Sequence, residues 1–228
     1  MAAVTIRRTP KSFAWSYSKL KNFETCPKRH FHVDIAKDVK EEESEQLKWG
    51  NAVHKALAKR CAEGTPLPTG MDQWEHWCAR VTYGGNSRIL VEQKLAITKD
   101  FAACGYFDNG AWYRGIGDVI KIVGDVALII DWKTGKIVED SVQLALMAQC
   151  VFSHYPEIQW VRSEFIWLKE DANTREDFAR ADMVGLWNNL HPRVQNLQVA
   201  SETMTYPPKP GGLCRKYCPV SFCPHHGK

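Results

Sequence analysis

Apolar positions recur at helical spacing in five stretches of the chain, near residues 16–34, 41–62, 71–81, 140–154 and 174–199. Ser16 or Ser18 can cap the first, which Pro27 interrupts, and the acidic run Glu41, Glu42, Glu43 and Glu45 suits the start of the second. A loop carrying Pro66 and Pro68 separates the second from the third. Between the third and fourth the periodicity changes. Residues 89–97, 113–123 and 126–132 are rich in β-branched and aromatic side chains and read as strands, as do 158–168. The central order is therefore strand, strand, strand, helix, strand. Residues 201–228 lose clear periodicity and become rich in proline and cysteine.

The strand pair in the middle carries the most information. Gly124-Asp125 lies between two apolar runs, a strong signal for a two-residue hairpin turn. With that turn, Val123 pairs with Val126, and counting outward sets Asp118 directly opposite Asp131. Opposed residues share a sheet face, and Lys133, two past Asp131, shares it too. Two opposed carboxylates repel unless a cation lies between them, and oxygen ligands suit Mg²⁺ or Mn²⁺. The bland alternative is an exposed Asp–Lys ion pair. The adjacent Ile129 and Ile130 argue against it, because they make the strand look buried on both faces.

Composition changes this picture little, whereas charge and cysteine placement add to it. The chain has 228 residues, 44% hydrophobic and 25% charged, with net charge +4, which is ordinary for a globular protein. No apolar run approaches the roughly 20 residues needed to span a bilayer, and the start lacks a secretory signal, so a cytoplasmic location is expected. The first forty residues hold nine Lys/Arg against three acids, with Trp15, Tyr17, Phe23 and Phe31 interleaved. That pattern fits DNA binding, with Lys28 and Arg29 as candidate phosphate contacts. It fits equally a solvated helix face. Cys61, Cys78, Cys104 and Cys150 are scattered and read as small buried residues. Cys214, Cys218 and Cys223 fall within ten residues, a spacing that usually means a metal.

The segment Gly117-Asp118 followed by Asp131-Trp132-Lys133 resembles the signature of the PD-(D/E)XK nuclease superfamily, whose α/β core has the strand order found above. The closer likeness is to the RecB-type exonuclease branch, which includes CRISPR-associated and phage recombination nucleases. There an upstream helical G-x-x-x-H is matched by Gly50 and His54. The resemblance implies a metal held by His54, Asp118, Asp131 and the Trp132 main-chain carbonyl, with Lys133 serving the attacking water. It adds Glu92 as an acid on the preceding strand. Gln143 is matched to a Q-x-x-x-Y motif in which Met147 replaces the tyrosine. A further motif, F-x-x-C-P-x-[RK]-[YF], is similar to Phe23 through His30, with His30 in the aromatic slot. It implies a [4Fe–4S] cluster on Cys26, Cys214, Cys218 and Cys223. Zinc on the last three with His225 or His226 is the alternative.

The expected organisation is a helical region over 1–85, a nuclease core over 86–200 and a metal-binding segment over 201–228. The expected function is a metal-dependent exonuclease acting on single-stranded DNA or DNA ends, in recombination, repair or CRISPR adaptation. Alternatives are a structure-specific endonuclease or nickase with the same site, and a non-catalytic DNA-binding module.

Overall fold

The computed structural model describes residues 13–138 and 140–228 of the chain. Arg7, Arg8 and Lys11 of the basic amino-terminal segment lie outside them. The first helix is α1 (Tyr17–Thr25), capped by the Ser16 hydroxyl, which accepts from the Lys19 amide. Pro27 ends it and begins the short α2 (Pro27–His30), followed by a wider helical turn over Phe31–Ile35. Next come α3 (Glu45–Glu63) and α4 (Glu75–Thr82). The acids at 41–43 fall outside α3. Ser44 caps it instead, its hydroxyl accepting from the Leu47 amide, because a short hydroxyl side chain reaches the free amides of the first turn.

The sheet strands are β1 (Arg88–Ile97), the short β2 (Ala103–Cys104), β3 (Tyr113–Val123), β4 (Val126–Lys133), β5 (Trp160–Trp167) and β6 (Ala172–Ala179). They form one six-stranded sheet in the order β2-β1-β3-β4-β5-β6. Only β4 and β5 run parallel, joined through α5 (Val142–His154), and this gives the strand–strand–strand–helix–strand core its hand. A long helix, α6 (Val184–Thr203), and a four-residue turn of helix, α7 (Leu213–Lys216), complete the chain.

The turn chemistry holds as expected. Gly124 takes a left-handed φ of 59°, and Val123 pairs with Val126. The helix expected from residue 174 is a correction. Residues 172–179 form β6, an edge strand antiparallel to β5, and α6 starts only at Val184. Asn173-Thr-Arg-Glu-Asp177 is polar enough to pass for an exposed helix. Pairing with the β5 backbone decides the matter, as tertiary contacts routinely override weak local preference.

The sheet is covered on both faces. On one, Ile120, Ile122, Ala127 and Ile129 pack with α5, α6 and Leu20 of α1. On the other, Val119, Ile130 and Trp132 pack with Val53 and Leu57 of α3 and Cys78 and Val81 of α4. No helix among the described residues is long and apolar enough to cross a membrane.

Candidate active site

The regular ladder between β3 and β4 runs from Val123↔Val126 to Val119↔Ile130 and stops there, one step short of Asp118 and Asp131. The next β4 amide, that of Trp132, donates to Asp118 Oδ2 at 2.8 Å instead of to a β3 carbonyl. The two strands therefore part at the acids. The N–H and C=O of one residue in an extended strand point the same way, so the Trp132 carbonyl faces the same gap.

The side-chain alternation breaks at this level on two strands. On β3, Ile120 and Ile122 join the α5-side core, yet Gly117 and Gly115 also face α5, where added Cβ atoms would lie 3.1 and 2.6 Å from Met147. On β1, Leu90 packs on that side and so do Leu95 and Ile97. The phase thus shifts between 117 and 120 on β3 and between 90 and 95 on β1. Glu92 sits inside the second interval with a left-handed φ of 51°, a conformation seldom adopted by a side-chain-bearing residue and concentrated at functional sites. The expectation that Asp118, Asp131 and Lys133 share one undisturbed face is corrected accordingly. Asp118 stands at the seam, next to His54 of α3 and accepting from the Trp132 amide.

From the α3 side comes His54, its Nδ1 3.3 Å from Asp118 Oδ2. One ligand atom each of His54, Glu92 and Asp118 lie within 4.8 Å of one another, a set able to hold a metal ion. Gly50, one helical turn before His54, lets α3 come down on the end of β4. A Cβ there would be 3.2 Å from the Thr134 hydroxyl. On the α5 side, Asp131 accepts from Gln143 Nε2 at 2.6 Å and pairs with Lys133 Nζ at 2.9 Å, and Lys133 also donates to Gln143 Oε1 at 3.0 Å. The Lys133 ammonium lies 4.7 Å from the Phe165 ring centre. Asp131 is thus turned toward the lysine and glutamine, and Glu92 completes the three-ligand group.

Two clefts meet at this cluster and share Ile116 as a wall. One, of about 660 Å³, holds His54, Glu92 and Asp118 with Lys55 and Lys59. The other, of about 540 Å³, holds Lys133 and Gln143 with Tyr17, Lys21 and Arg114. A third concavity, about 700 Å³ over β4–β6 near Arg80 and Trp160, contains no member of the cluster. Lys55, Lys59 and Arg114 were not singled out by sequence pattern, since isolated cations carry no spacing signal. Lys28 and Arg29 reach neither cleft that meets at the cluster. They line a small cavity elsewhere, with Lys28 over the Phe222 ring and Arg29 paired with Glu41.

That small cavity joins the segment around Cys26 to residues 208–226. Cys26, Cys214, Cys218 and Cys223 all line it, as do His225 and His226. The Lys209 amide donates to Cys26 Sγ, and the Lys28 amide to the Pro207 carbonyl, which fastens the two segments together. His30, in the aromatic slot of its motif, is buried against Phe23 and Tyr206 and bonded to Asp34 at 2.7 Å. Tetrahedral zinc would bring thiolates to about 3.8 Å apart, given Zn–S bonds near 2.3 Å. Among the described residues, three ligand atoms converge within 4.8 Å only at His54, Glu92 and Asp118, so the cysteine sulfurs are spread more widely than that. The donor set around this one small cavity is four thiols and two imidazoles.

Electrostatics agree that the acidic cluster is under tension. Burial raises the Asp131 carboxyl, Lys133 opposes the rise and Asp118 adds to it. Burial and the Asp118 charge raise Glu92. Burial alone would lower His54, but the hydrogen bond and charge of Asp118, with Asp131 and Glu92, leave it raised. All three groups hold protons more tightly folded than unfolded. Without metal, the contribution of these three groups to stability is then greatest below the ordinary carboxylate range and falls as pH rises through the raised values of the acids and His54. Added Mn²⁺ should recover the lost melting temperature near neutral pH, because metal takes the deprotonated ligands. Metal-free Asp131→Asn should melt a few degrees higher than wild type at pH 7. Thermal scans of both proteins at several pH values check this; equal melting temperatures at all pH values would contradict it.

Comparison with known proteins places these features. A model of the PD-(D/E)XK nuclease superfamily matches residues 14–88, which include Cys26, Gly50 and His54. The structure of a presumed exonuclease from Eubacterium rectale superposes with a TM-score of 0.50 at 15% identity, covering 98% of this chain and 92% of that one. The structure of SSO0001 gives a TM-score of 0.41 at 13% identity, covering 96% and 89%. No curated protein matches by sequence. The sequence match to the nuclease superfamily model covers about a third of the chain, and the likeness of fold to the Eubacterium rectale structure extends over nearly all of it.

Proposed function

We propose that this protein is a metal-dependent deoxyribonuclease that hydrolyses phosphodiester bonds from DNA ends, with single strands as its preferred substrate. The observation that carries the reading is the convergence of His54, Glu92 and Asp118 beside the Asp131–Lys133–Gln143 network at the point where β3 and β4 part. His54, Glu92 and Asp118 would hold Mg²⁺ or Mn²⁺, with Asp131 and the Trp132 carbonyl at its border. A divalent cation in that position supplies a Lewis acid for the phosphate and lowers the pKa of bound water.

The chain's own groups do the rest. Asp131 and Gln143 fix the Lys133 ammonium at the cluster, where it can hold the attacking water or the developing phosphate charge. Lys55 and Lys59 in one cleft, and Lys21 and Arg114 in the other, supply positive charge for a phosphate backbone on either side of the reacting bond. His54→Ala should weaken metal binding and slow cleavage, and the imidazole ligand should make Mn²⁺ at least as effective as Mg²⁺. Unchanged affinity and rate in that variant would remove His54 from the metal site.

The same reading gives the cysteine cavity a [4Fe–4S] cluster on Cys26, Cys214, Cys218 and Cys223. Lys28 and Arg29 beside it would offset the charge of the thiolates. Such a nuclease would serve recombination, repair or CRISPR adaptation. The test of polarity and mode is digestion of linear and circular single-stranded DNA with Mn²⁺. Loss of the linear form alone is expected; equal loss of the circle would make the enzyme an endonuclease or nickase.

A further inference from the structure

We propose that Tyr106 and Phe107 form a stacking platform for the bases of a single strand, whose phosphates run along Lys94 and Arg114 toward Lys133. The inference deepens the nuclease reading and rests on it for the direction in which the strand is led. It starts from a turn between β2 and β3. The Asp108 amide donates to the Gly105 carbonyl at 3.0 Å, and the Gly105 amide donates to Asp108 Oδ2 at 2.7 Å. The closure is tight enough that a Cβ on Gly105 would lie 2.6 Å from the Asp108 carboxylate. The two central residues of this fixed turn are aromatic, where Asn, Asp, Gly or Ser would be ordinary.

Phe107 is 76% exposed at the tip, and its ring meets that of Tyr106 edge to face at 5.1 Å. Lys94 Nζ lies 5.9 Å from the Tyr106 ring centre and 5.6 Å from that of Phe107, and the Arg114 guanidinium lies 5.8 Å from Tyr106. Neither cation forms an ion pair with a carboxylate among the described residues. Arg114 Nε is buried there without a hydrogen-bond partner. Two aromatic rings interleaved with two cations that have no carboxylate partner match the faces and phosphates of a polynucleotide together. A protein partner would call for a broader apolar patch than two rings. In a duplex the base faces are already stacked on each other and not free to meet a side chain, so the platform selects single strands.

The platform is continuous with the cluster. Tyr106 and Arg114 line the same cleft as Lys133 and Gln143. On β1, Lys94 is two residues beyond Glu92, roughly 6.6 Å along the strand.

The test is fluorescence anisotropy of a labelled oligothymidine and of an abasic strand of equal length, both in EDTA so that nothing is cut. Wild type should bind the strand with bases about tenfold or more tightly. Tyr106→Ala with Phe107→Ala should erase that preference while leaving abasic binding and the salt slope unchanged. Tyr106→Phe with Phe107→Trp should keep it, and Lys94→Gln with Arg114→Gln should flatten the log–log salt slope by about 0.7 per lost contact. Phe107 is so exposed that its single alanine variant will fold, and it should show part of the same loss. Wild-type protein that binds in this way but cuts no DNA with Mn²⁺ would support the platform and sink the nuclease reading. A double alanine variant that binds oligothymidine as wild type does would overturn the platform, whatever the wild type cuts.

Discussion

Asp118→Ala, Asp131→Ala and Lys133→Ala should each lower DNA cleavage by roughly a thousandfold or more, with the fold preserved. On the proposed mechanism the three act as a unit, and groups that act as a unit lose most of their effect when any one is removed. Their roles separate in metal binding. Asp118 contributes an oxygen to the three-ligand group and braces the Trp132 amide, so its loss should release the cation. Lys133 touches Asp131 and Gln143 but no member of that group, so its alanine variant should bind metal normally and still fail to cut. Asp131 lies between: its alanine variant should lose turnover and weaken metal binding by less than Asp118→Ala. Undiminished turnover in any one folded variant would strike that residue from the mechanism.

The second large effect is expected at the cysteines. Cys26 is near one end of the chain and Cys214, Cys218 and Cys223 near the other, yet all four line one cavity. A group bound by all four closes a loop of nearly the whole chain, and metal binding of that kind contributes directly to folding. Cys26→Ser should therefore be as damaging to soluble yield as Cys214→Ser, and protein purified without oxygen should be brown and contain iron and sulfide. The zinc alternative makes opposite demands. Cys26→Ser would be mild, changing His225 or His226 would release the metal, and elemental analysis would find stoichiometric zinc even in iron-replete, anaerobic preparations.

Much of this architecture is legible in the residues because local chemistry and tertiary outcome agree. Gly124-Asp125 between apolar runs allows one turn, and the turn sets the register from Val123↔Val126 to Val119↔Ile130. The rise of α3 from Ser44 and its end at the left-handed Gly64 follow from capping chemistry, although the acids before Ser44 disguise the start. What pattern could not reveal is the break in alternation. Counting outward from the turn assumes a period of two throughout, and a strand that shifts phase moves every later side chain to the other face. Glu92 and the Gly117–Val119 segment make that shift, and the only local hint of it is the glycine inside β3 at 117. Strand β6 was hidden for a different reason. Its exposed polar residues fit a helix surface as well as an edge strand, and only the neighbouring β5 backbone chooses. The basic residues of the two clefts come from α1, α3, β3 and β4, so only the fold brings them together.

The claim on which the account depends is that His54, Glu92 and Asp118 hold a divalent cation beside Lys133. Mn²⁺ binding, followed by electron paramagnetic resonance beside a non-hydrolysable single strand, tests it most directly. Saturable binding is expected in wild type and in Lys133→Ala, weaker binding in His54→Ala and Glu92→Gln, and loss in Asp118→Ala. Binding of equal strength and stoichiometry in wild type and Asp118→Ala would contradict it.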